Sequence, residues 1–162
     1  MIRPATSDDA GDICDLWNWM IRDTLATFTT VEKTPDEVAQ MINDRLGAFF
    51  VAHEEGRFRG FVSFGPFRPG PGYAATVEHS ILVQSDARST GIGRALMQHA
   101  EKAARDQGKR VMVGAISSAN PDAMGFHEAI GFTVSGRLAD AGRKNGQWLD
   151  LILMQKILSG DL

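Results

Sequence analysis

The 162-residue chain has little cysteine, no excess of positive charge and no long apolar run, and each absence excludes a class of protein. Its one cysteine, Cys14, excludes a disulfide framework and most zinc frameworks, and fits a reducing cytoplasm. Seventeen Lys and Arg stand against 20 Asp and Glu, a formal net charge of −3, so we expect no general binding to nucleic acid or membrane surfaces. No apolar run approaches the roughly 18 residues that span a bilayer, and the acidic start is unlike a signal peptide.

The composition that remains is that of an ordinary folded protein. Hydrophobic residues make up 43% of the chain and charged residues 23%. A chain of this length buries roughly two thirds of its unfolded surface in one core, so we expect residues 1–162 to form a single cytoplasmic domain without a metal. Glycine is above its average share, with 17 residues, and the positions of these glycines bear on turns and on the candidate site.

Hydrophobic spacing and turn signals predict the order βααβββαβαββ. Ser7 or Asp8 is the expected cap of the first helix, and a capping box at Thr34-Pro35-Asp36-Glu37 opens the second. Asn145-Gly146 predicts a hairpin between the last two strands. The order indicates a mixed α/β sheet with antiparallel hairpins and one βαβ crossover. The predicted strands are 48–53, 58–67, 76–83, 111–116, 133–138 and 148–156, and the later helices are 92–107 and 121–130.

A glycine-bearing turn lies between strand 76–83 and helix 92–107. It consists of Arg88, Ser89, Thr90, Gly91, Ile92, Gly93 and Arg94. A turn that opens a helix leaves backbone N–H groups free, backed by the helix dipole, which suits a phosphate or pyrophosphate. The chain has no Walker A string, and a Rossmann fingerprint would need a third glycine where Leu96 stands. A plain helix start with incidental glycines is the alternative to an anion site.

Residues 88–93 fit the (Arg/Gln)-x-x-Gly-x-(Gly/Ala) turn of the GCN5-related N-acetyltransferase (GNAT) superfamily, which the chain resembles. Residues 77–83, Asn120 and residues 126–132 recur at that superfamily's spacings. More narrowly, residues 76–80, 127–132 and 141–150 resemble the phosphinothricin and methionine sulfoximine N-acetyltransferase branch. The resemblance implies a central, mostly antiparallel sheet that is splayed at the CoA site and flanked by helices.

The same resemblance implies acetyl transfer from acetyl-CoA to a primary amine. The CoA pyrophosphate would lie on the N–H groups of residues 89–94, and Asn120 would bond the pantetheine or phosphate arm. The pantetheine would pair with the backbone of Ile81, Leu82 and Val83.

Glu78 is the candidate general base, since the acceptor amine must lose a proton before it attacks. An exposed strand carboxylate paired with an arginine is the alternative. His127 stands where many members of the superfamily carry tyrosine; its imidazolium could protonate the departing thiolate, or the ring could only pack. His79 follows Glu78 directly, and adjacent strand residues point to opposite faces, so we do not expect both to line one site without a bulge.

The branch suggests a small amino-acid acceptor such as phosphinothricin, methionine sulfoximine or methionine sulfone, and a homodimer. Arg68 is the candidate for a bidentate contact with a carboxylate. Other acceptors, namely a protein N-terminus, a polyamine or an aminoglycoside, remain open, as does a CoA-sensing module without catalysis. The expected acceptor-site residues are Phe28, Arg68, Pro69, Gly70, Tyr73, Glu78, His79 and Ser80.

Overall fold

The computed structural model describes residues 1–158 as one mixed sheet covered by helices on both faces. The strands are β1 (Ile2–Pro4), β2 (Phe49–Glu54), β3 (Arg57–Pro66), β4 (Thr76–Val83), β5 (Val111–Ser117), β6 (Thr133–Lys144) and β7 (Gln147–Ile157). The α-helices are α1 (Ala10–Asp23), α2 (Pro35–Asp44), α3 (Ile92–Asp106) and α4 (Pro121–Ala129). This is the predicted order of elements.

The seven strands lie in the order β1-β2-β3-β4-β5-β7-β6, and all neighbours are antiparallel except β4 and β5. The parallel pairing joins only Thr76–His79 of β4 to Val111–Gly114 of β5. Beyond those residues β4 stays paired with β3, whereas β5 stays paired with β7. The two central strands therefore diverge, which confirms the splayed, mostly antiparallel sheet.

Two apolar layers pack on the two faces of the sheet. Phe49, Val51 and Phe61 point to the layer formed by α1 and α2, while Phe50 and Val62 belong to the layer around α3. Successive strand residues alternate between faces, so strands covered on both sides are apolar at almost every position. No helix within residues 1–158 is long and apolar enough to span a bilayer.

Local signals in the sequence place several boundaries correctly. Thr34 accepts a hydrogen bond from the Glu37 backbone N–H at 3.2 Å, as the capping box requires. Asn145 and Gly146 both have positive φ (52° and 74°), the conformation of a two-residue type I′ hairpin turn. Asn120 caps α4 by accepting from the Ala123 N–H.

Two predicted boundaries are wrong for identifiable reasons. The first helix begins at Ala10, because the Asp9 carboxylate is bound by the Arg3 guanidinium and by the Thr6 N–H, each at 2.8 Å, and residues 7–9 form a separate 3-10 turn. Strand β6 continues past Leu138 to Lys144. A register shift between Leu138 and Gly142 interrupts the alternation of side chains from which its length was predicted.

Candidate functional site

The divergence of β4 from β5 opens a cavity of about 430 Å³, which we call the cleft. Both strands line it, together with the loop after α1 and the start of α4. The cleft brings together eight of the predicted site residues: Phe28, Glu78, His79, Ser80, Ile81, Leu82, Asn120 and His127. Side chains from both faces of β4 reach it because the gap between the strands passes through the sheet. Glu78 and His79 therefore share the cleft without the bulge that the sequence argument required.

Glu78 is half-buried at the edge of the cleft and has no basic partner within 4.0 Å in the described chain. Burial raises the pKa of its carboxyl group, and the nearby charge of Arg45 opposes that rise. The Arg45 guanidinium is held against β3, where Nη1 donates to the Ser63 hydroxyl at 3.0 Å. A Cβ at Gly65 would lie 2.8 Å from the guanidinium, so glycine makes the room for it.

His79 and His127 form a buried pair of imidazoles, with their Nε2 atoms 2.8 Å apart. His127 Nδ1 lies 2.7 Å from the Ala123 carbonyl oxygen, which can only accept, so we assign the ring proton to Nδ1. Nε2 of neutral His127 then accepts, and Nε2 of His79 donates. His79 Nδ1 is buried and has no partner in the described chain.

Both imidazoles are held neutral by their surroundings. Burial lowers the pKa of His79 to about 3, with a smaller contribution from His127. Burial also lowers the pKa of His127, against the bond to Ala123. The pair has room because residue 114 of β5 is glycine: a Cβ there would lie 3.1 Å from Cε1 of His79.

The turn of residues 88–94 follows β4 directly and opens α3. Its seven backbone N–H groups donate to no acceptor within residues 1–158. Ser89 and Gly91 have positive φ (60° and 90°), and a Cβ at Gly91 would meet open space. Arg88 and Arg94 are exposed at either end of the turn. Free N–H groups at a helix start, flanked by two guanidinium groups, fit a phosphorylated ligand.

The remaining acceptor-site candidates lie elsewhere within this chain. Arg68, Pro69, Gly70 and Tyr73 line a second cavity of about 430 Å³, beside the start of β4, which Glu78 does not line. Arg68 lies over the Tyr73 ring, 5.7 Å from its centroid. Val83 is not part of the cleft lining and lies beside the turn, where a Cβ added at Gly93 would be 3.7 Å from its side chain.

Sequence reasoning missed Arg45 and Gly114 at this site. A glycine inside an otherwise apolar strand signals the close approach of another group, so the sequence held a clue to Gly114. Nothing near Arg45 in the sequence indicated its role, because its neighbours Ser63 and Gly65 belong to β3 and lie 18 or more residues further along the chain.

The comparisons with known proteins agree on a family. Residues 14–132 match the Acetyltransferase (GNAT) family. An L-methionine sulfoximine/L-methionine sulfone acetyltransferase of Pseudomonas paraeruginosa is 45% identical over 100 residues, which cover 62% of this chain and 58% of that enzyme. That match therefore spans little more than half of the relative's length.

Two further relatives cover nearly the whole chain. A phosphinothricin N-acetyltransferase of Streptomyces viridochromogenes is 34% identical over 96% of this chain and 86% of its own. The solved structure of the Salmonella typhimurium yncA protein with its cofactor acetyl-CoA has a TM-score of 0.94 and 34% identity, and covers 100% of this chain and 95% of that one. The family expected from the turn at residues 88–93 is thus confirmed, and the chain belongs to the GNAT family of acetyltransferases.

Proposed function

We propose that this chain transfers the acetyl group of acetyl-CoA to the amine of a small amino acid such as methionine sulfoximine, methionine sulfone or phosphinothricin. The observation that carries the proposal is the half-buried Glu78 in the cleft, on the same strand that leads into the free N–H groups of the turn. A base and an anion site on one strand suit a phosphorylated acyl donor and an amine that must be deprotonated. The relatives named for these substrates support the acceptor class.

The residues present fit acetyl-CoA, which supplies the acetyl group as a thioester when it is bound. The N–H groups of residues 89–94 and the guanidinium groups of Arg88 and Arg94 would hold its pyrophosphate. The backbone of Ile81, Leu82 and Val83 would align the pantetheine beside the open edge of β4. Asn120 already uses Oδ1 to cap α4, so its Nδ2 is the group that would donate to the ligand.

Glu78 would act as the general base, directly or through a water molecule. An amino-acid amine arrives mostly as the ammonium ion at neutral pH and has no lone pair for attack. The raised pKa of Glu78 makes its carboxylate a better proton acceptor, and the positive charge of Arg45 favours the deprotonated form that can accept the proton. The transferred proton would remain on Glu78 until it is released to solvent.

His127 would protonate the departing thiolate only after a local rearrangement. In the structure Nδ1 is engaged by Ala123 and Nε2 by His79, so neither nitrogen offers a proton to the cleft. Rotation of His79 away from Nε2 would be the first requirement for that role.

Phe28, His79 and Ser80 would contact the acceptor in the cleft. Arg68, Pro69, Gly70 and Tyr73 line the second cavity, so their loop would have to move towards the cleft for Arg68 to meet the acceptor's anionic group.

We also propose a cytoplasmic homodimer. Val134, Leu138 and Trp148 on β6 and β7 have 51%, 47% and 59% of their surfaces exposed, an apolar area that a second copy would cover. Light scattering after size exclusion would test the dimer.

The deciding experiment is a thiol-release assay with acetyl-CoA and a panel of amines. We expect turnover with methionine sulfone and methionine sulfoximine, and little with polyamines or aminoglycosides. Binding of CoA without turnover of any amine would instead indicate a sensing module. Glu78→Gln should lower kcat about 10²-fold and leave the KM for acetyl-CoA unchanged. Glu55→Gln, the same change at an exposed turn, is the control.

A further inference from the structure

Lys144, at the end of β6, has only 3% of its surface exposed and contacts a segment more than 100 residues away in sequence. Its Nζ donates to the carbonyl oxygens of Ile21, Thr24 and Thr27 at 2.7, 2.9 and 2.9 Å. The three N–H groups of the ammonium are thereby all used. Within the described chain no carboxylate lies within 4.0 Å of Nζ, so carbonyl dipoles at the end of α1 stabilise this buried charge.

Gly142 lies two residues before Lys144, on the same face of β6, directly beneath the ring of Phe28. A Cβ at this position would lie 2.5 and 2.6 Å from Cγ and Cε2 of that ring and closer still to its Cδ2. These distances are shorter than any van der Waals contact, so an alanine here requires the ring to move. Gly142 thus lets Phe28 lie flat on the backbone of β6.

The two contacts fix consecutive residues of one loop. Lys144 holds the carbonyl of Thr27, and Gly142 accommodates the side chain of Phe28. In the described part of the chain, the bond from Lys144 to Thr27 is the one hydrogen bond that ties residues 25–31 to a segment distant in sequence; the other bond that leaves this loop joins the Ala26 N–H to the neighbouring Thr24 hydroxyl. Phe28 lines the cleft together with Glu78.

We propose that Gly142 and Lys144 are positioning residues that fix Phe28 as a wall of the cleft and so determine the size of the amine acceptor it admits. The inference rests on the proposed function for its consequence in catalysis. Neither residue touches the reacting atoms. A displaced Phe28 would loosen the site for small acceptors and admit larger apolar amino acids, whereas the turn at residues 88–94 would be unaffected.

The kinetic test uses Gly142→Ala in two backgrounds. With Phe28 present, we expect the KM for methionine sulfone to rise about tenfold and the KM for acetyl-CoA to stay within about twofold, the scale of a steric overlap. In a Phe28→Ala background the added methyl group meets no ring, so Gly142→Ala should change neither constant. Gly136→Ala, on the same strand with open space around its Cβ, is the matched control. An equal effect in both backgrounds would overturn the proposal.

The second test needs no enzymatic activity. Lys144→Met keeps an unbranched side chain, one atom shorter, but removes all three donors, so chymotryptic cleavage after Phe28 should accelerate about tenfold or more. Arg143→Met, the same substitution at the exposed neighbouring residue, should leave the cleavage rate unchanged. Equal cleavage rates in the two variants would refute the role of Lys144. If the wild-type protein acetylated no amine, the proposed function would fail while the proteolysis result still decided whether the loop is fixed in this way.

Discussion

Acidification should destabilise this protein through His79, because folding lowers the pKa of that imidazole. The pKa falls from its ordinary value of 6.5 to about 3, since the ring is buried beside a second imidazole. The unfolded chain therefore binds a proton near pH 6.5, whereas the folded chain does not. The stability that neutral His79 contributes is complete above pH 6.5 and is lost progressively as the pH falls towards 3.

The magnitude follows from proton linkage. Between pH 7.5 and pH 5.0 the protonation of an unfolded imidazole lowers the free energy of unfolding by about 2 kcal/mol. His127 acts in the same direction, since burial lowers its pKa as well. The native hydrogen bond from His79 to His127 cannot survive if both nitrogens carry protons, so the pair resists protonation as a unit.

Urea denaturation at pH 7.5, 6.5, 5.5 and 5.0 measures how the free energy of unfolding depends on pH. Tryptophan fluorescence can follow it because Trp17 is buried in the core. His79→Gln retains a donor for His127 but does not titrate, so it should lose about 2 kcal/mol less between pH 7.5 and 5.0 than the wild type. His99→Gln, at an exposed position, should keep the wild-type dependence. If His79→Gln and the wild type had the same pH dependence, the neutral buried imidazole inferred from the structure would be refuted.

Four further substitutions have expected outcomes. Gly60→Ala should lower the free energy of unfolding by about 2–3 kcal/mol in urea titrations, because its Cβ would lie 2.5 Å from a backbone oxygen of β4. Gly11→Ala lies in open space on α1 and should instead raise the free energy of unfolding by about 0.5 kcal/mol. Thr34→Ala should cost about 1 kcal/mol in the same assay through the lost cap. Arg45→Gln should move the acidic limb of the kcat/KM profile to higher pH, because the Arg45 charge restrains the raised pKa of Glu78; an unmoved limb would contradict that coupling.

Where a structural feature depends on a few neighbouring residues, the sequence was sufficient to predict it. The cap at Thr34 and the hairpin turn at Asn145-Gly146 both satisfy backbone groups within four residues of themselves. The start of α1 was predicted wrongly although its cause also lies close in sequence. Asp9 accepts from the Thr6 N–H three residues before it and pairs with Arg3 six residues before it, and neither bond follows from the capping preferences of Ser7 and Asp8 on which the boundary was predicted.

In the candidate site, too, the features that depend on neighbouring residues were predicted and those that depend on distant contacts were not. The turn at residues 88–94 needs only glycines, a helix start and flanking arginines, so the sequence alone predicted its position, and the family with it. The divergence of β4 from β5 decided which candidate residues lie together. It opens the cleft that Glu78 and His79 line, whereas Arg68 lines the second cavity.

The sequence by itself determined the order of elements, the mixed sheet, the glycine-bearing turn at residues 88–94 and the family, because each is encoded by periodicity or by residues adjacent in the chain. Only the tertiary structure decided the raised pKa of Glu78, the pairing of His79 with His127 across 48 residues, and the hold of Lys144 on the loop that carries Phe28. Burial and contacts between distant segments set those properties, since the strength of a charge or a hydrogen bond depends on which groups packing brings around it and how much water it excludes.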